Sequence, residues 1–92
     1  MIIRILGEGQ WEVPADELAA LNHLDSELEA AVHAGDDAGF AQALPRLLAE
    51  VRASGTRLPD EQIATSEVIL PPVTATIEEV AALLSGDGLI PG

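Results

Sequence analysis

Cysteine, lysine and tyrosine are absent from this 92-residue chain, and one tryptophan and one phenylalanine are its only aromatics. Without cysteine there is neither disulfide nor thiolate chemistry, and thiol usage cannot reveal a redox compartment. Without lysine, all cationic side chains are Arg4, Arg46, Arg52 and Arg57, set against 16 acidic residues and a formal net charge of −12. A phosphate backbone or an anionic lipid headgroup would be repelled by such a surface, which argues against direct nucleic-acid or membrane binding. A basic protein partner would be attracted. The acidity also serves solubility, and composition does not choose between the two roles. No apolar run approaches the ~20 residues needed to span a bilayer.

What is present points to one small α+β domain over residues 1–92. The hydrophobic fraction is 48%, but 15 of those residues are alanines, so the core must come mainly from Leu, Ile and Val. Burying such a side chain gains about 1.5–3 kcal/mol, and an alanine methyl far less. The opening Met1-Ile-Ile-Arg-Ile-Leu-Gly-Glu-Gly-Gln-Trp-Glu-Val13 is the most informative stretch. Two short β-prone runs flank Gly7-Glu-Gly9, the pattern of a β-hairpin. A chain that starts directly on a strand leaves no room for a signal peptide or anchor, so a cytoplasmic protein is expected.

Beyond Pro14, Leu18, Leu21, Leu24, Leu28, Ala31 and Val32 recur at three- and four-residue steps and predict a helix over roughly 15–34. Gly35 suits a left-handed cap, and Asp36 or Asp37 can cap the next helix. Phe40, Leu44, Leu47, Leu48 and Val51 mark that second helix, which should end at Ser54-Gly55. A short link between the two predicts an antiparallel αα-hairpin. Pro45 inside the second helix should remove one hydrogen bond and bend it. Residues 56–66 read as a polar loop, and Ser66–Leu70 as a possible third strand beside the hairpin. Thr76-Ile-Glu-Glu79 is a capping-box pattern opening a short C-terminal helix. The closing Ser85-Gly-Asp-Gly-Leu-Ile-Pro-Gly92 is expected to dock as a tail.

Catalytic and metal readings find little support. Gly7-Glu-Gly9 lacks a third glycine, precedes a strand, and puts a carboxylate where a phosphate would sit. His23 and His33 do not share a helical face at ligand spacing, and no cysteine joins them. The pairs Asp36-Asp37 and Glu78-Glu79 fall at helix starts, where capping explains them. No serine stands in a nucleophile-elbow context. The chain is therefore expected to be non-enzymatic, with no cofactor and no metal.

Binding is the remaining role. Trp11 is either a hot spot for a partner or one more core residue. Asp25, Glu27 and Glu29 are candidates to steer a basic partner. Leu89 and Ile90 either cover the domain's own core or insert into a partner.

Taken together, the opening thirteen residues, the acidic hairpin around Gly35-Asp36, the Leu70-Pro71-Pro72 segment and the closing Gly86–Gly92 resemble the PspAA family, proteins associated with phage shock protein A. The likeness runs the length of the chain; Pro45 is unusual for it. The resemblance implies a non-enzymatic adaptor or regulator in the envelope and membrane stress response. Its partner would be a phage-shock-protein-A-like coiled coil of the ESCRT-III-like class, which would recruit it to the inner face of the cell membrane. The alternative is an acidic regulator that sequesters a basic transcription factor or mimics nucleic acid.

Overall fold

The computed structural model describes residues 1–59, 61–62, 64–66 and 68–84. Strands β1 (Ile2–Ile5) and β2 (Gly9–Glu12) form the expected hairpin, with Ile3 opposite Trp11 and Arg4 opposite Gln10. The turn closes through the Glu8 N–H donating to the Ile5 carbonyl at 3.0 Å. Gly7 takes a φ of 84° there, a value that L side chains rarely adopt.

Pro14 lies just ahead of a single 3₁₀ turn, Ala15–Glu17, which leads into α1 (Leu18–Ala34). The predicted first helix is thus present, its opening turn wound more tightly. Gly35 ends it in the left-handed conformation, φ 66°. Asp36 then caps α2 (Asp37–Ser54) by accepting from the Gly39 N–H at 3.0 Å. The turn between helices is this short because one residue stops a helix and the next starts another. Helix α2 runs through Pro45, which is exposed, so the bond it removes falls on the solvent side.

One expectation needs correction. Residues 56–66 are not wholly loop: Thr56–Arg57 forms β3, antiparallel to β2, with Trp11 opposite Arg57. Its cause is tertiary, since Arg57 reaches back to donate to the Glu8 carbonyl at 2.7 Å and lies over the Trp11 ring at 5.6 Å. The strand expected near 66–70 is Val68–Leu70, here β4, and it joins the sheet parallel to β1. The sheet order is β3-β2-β1-β4. Helix α3 (Ile77–Leu83) opens with the predicted capping box, Thr76 and Glu79 exchanging side-chain-to-backbone bonds of 2.8 and 3.2 Å. The expected docked tail lies outside the described residues.

The core fills the space between one face of the sheet and the helices. Ile3, Ile5, Trp11, Val13, Val68 and Leu70 meet Leu21, Leu28, Phe40, Leu44, Leu47, Leu48, Val51 and Val80 there. The opposite face carries Arg4, Gln10, Glu12 and Ile69, as strand alternation requires. Between β3 and β4 the chain crosses this outer face. Gln10 holds the crossing, donating to the Ala64 carbonyl at 2.6 Å and to Ser66 Oγ at 2.7 Å.

Candidate partner-binding surface

The acidic residues singled out on α1 do not form one face. Successive helical residues turn by about 100°, so residues two apart point in nearly opposite directions. Asp25 falls on the buried stripe with Leu21 and Leu28 and is only 3% exposed, so its carboxylate is not on the outer surface. Glu27 and Glu29 lie on opposite flanks of that stripe. Glu27 turns toward α2, where its Oε2 lies 3.4 Å from Arg46 Nη1, and its Oε1 lies 3.7 Å from Nε2 of His23, one turn earlier on α1. Glu29 on the other flank has His33 Nε2 at 4.0 Å. Such exposed contacts are worth about 0–1 kcal/mol each, so they shape the surface potential more than they hold the fold.

Beside Glu27 a groove of about 470 Å³ runs between the two helices. Its walls are mostly small, with Ala30, Ala31 and Ala34 from α1 and Gly39 and Ala43 from α2. Glu27 and Arg46 stand along it together with Asp36 and Gln42. Because the side chains are short, a large apolar residue offered from outside could approach the helix backbones closely, within a charged rim. The sequence carried a signal for this groove that periodicity did not use: Ala30 and Ala34, and Gly39 and Ala43, each stand four apart across the Gly35-Asp36 link.

The remaining candidates are placed differently. Trp11 is 6% exposed and belongs to the core. Its position agrees with the structural reading of that residue, and the ring is closed on one side by Arg57. Leu89 and Ile90 lie outside the described residues. A second charged cluster, absent from the sequence reading, binds the hairpin turn to the end of α2. Glu8 accepts from Arg52 through both oxygens, with Nε donating at 2.8 Å. The hydrogen bond from Arg52 holds the Glu8 carboxyl below its ordinary value, opposed by burial and aided to a smaller extent by the charges of Arg52 and Arg57. The same bond raises Arg52.

Among the described residues, no group of three or more His, Asp or Glu side chains is placed to hold a metal ion, and no helix is long and apolar enough to cross a membrane. No curated protein and no solved structure matches this chain. One family model does, described as PspA-Associated protein, and it covers residues 1–92.

Proposed function

Because the chain belongs to the PspAA family over its whole length, we propose that it is a non-enzymatic adaptor for a phage-shock-protein-A-like coiled coil in the membrane-stress response. The observation that carries this reading is the full-length family match, whose description names association with PspA. The helical hairpin offers the surface for it. A partner helix with basic residues would be drawn toward a chain of net charge −12. On arrival, bulky aliphatic side chains of that helix would enter the small-walled groove between α1 and α2, with Glu27 at its rim. Affinity would come mainly from apolar contact and association speed from charge. The domain would reach a membrane only through its partner, and its effect would be to tune that partner's assembly.

A second reading rests on the same net charge: an acidic regulator that occupies the basic surface of a transcription factor or imitates nucleic acid. Salt separates the two, because ion pairing between exposed surfaces weakens steeply as the Debye length falls from about 10 Å at 0.1 M to about 3 Å at 1 M. The test is a calorimetric titration of the full chain into a purified coiled coil of the PspA class at low and moderate salt. Saturable binding that survives moderate salt supports the adaptor. Absence of binding up to about 1 mM, a limit near −4 kcal/mol, overturns it.

A further inference from the structure

We draw no further inference here: the strongest candidate, the small-walled groove between α1 and α2 flanked by Glu27 and Arg46, belongs to the surface already described, and nothing in the structure shows what covers it.

Discussion

The two faces of the sheet differ in what closes them. On the inner face Ile3, Ile5, Trp11, Val13, Val68 and Leu70 are sealed beneath the helices. On the outer face one crossing segment, held by Gln10, covers β2, while Arg4 and Ile69 remain partly or largely exposed. Dense aliphatic packing therefore carries the stability of the domain. In a chain with so few aromatics the core rests on Leu, Ile and Val, and of the described ones only Leu6, Ile69, Val73 and Leu83 are exposed.

The largest effects should come from the inner side. Leu28→Ala and Leu47→Ala each remove a fully buried side chain and should cost about 2–5 kcal/mol, read by denaturant unfolding. That is a large share of the stability of a domain this size. If both variants unfold at the wild-type midpoint, the helical hairpin does not pack on the sheet as described.

Next comes the point where α2 leaves the sheet. A Cβ at Gly55 would stand 2.8 Å from the Val51 carbonyl oxygen and 3.1 Å from Trp11 Cβ. Backbone cannot yield as a flexible side chain does, so Gly55→Ala should destabilise by about 1–3 kcal/mol. A neutral result would mean that Trp11 and the end of α2 are farther apart than this.

On the outer face Gln10→Ala should cost about 1 kcal/mol, because it breaks three side-chain hydrogen bonds to the crossing segment, the longest at 3.4 Å, without opening the core. Protease cleavage near Ala64 should increase in parallel. A loss as large as that of Leu28→Ala would erase the contrast between the faces.

The smallest stability effect belongs to the rim. Glu8 has its pKa lowered from 4.5, first by the hydrogen bond from Arg52. A carboxyl whose pKa is lower folded than unfolded stabilises the fold above its unfolded value, and loses that contribution as pH falls through the folded one. Acid unfolding between neutral pH and the range below 4.5 should therefore be shallower in Glu8→Gln. The whole effect should stay within about 1 kcal/mol, because the pair is partly exposed and screened by solvent. An unchanged acid limb would show that the pair contributes nothing to folding.

How much of this was legible depends on how local the cause is. The Gly35-Asp36 boundary and the Thr76–Glu79 capping box were readable because a few adjacent residues decide them. Leu21, Leu28, Phe40, Leu47 and Ile5 were readable as core because periodicity marks a buried stripe. Strand β3 was not, since two residues carry no period and Thr56–Arg57 is held by contacts with Glu8 and Trp11, more than 40 positions away. Nor was the parallel placement of β4, which depends on the chain crossing the outer face. For the candidate site, the acidic composition was plain, but the helical rotation that buries Asp25 and splits Glu27 from Glu29 had to be seen. The groove between α1 and α2 lay in the Ala/Gly spacing and went unread, because small residues add little to a hydrophobic stripe.

The central claim is that the acidic surface of the helical hairpin recruits a basic helical partner. Stopped-flow association with a purified PspA-class coiled coil tests it most directly, comparing the wild type with the Glu27→Gln/Glu29→Gln double variant. The account predicts slower association, by about two- to tenfold at low salt, with a dissociation rate close to that of the wild type and a difference that fades as salt rises. An association rate that the substitutions leave unchanged at low salt would contradict it.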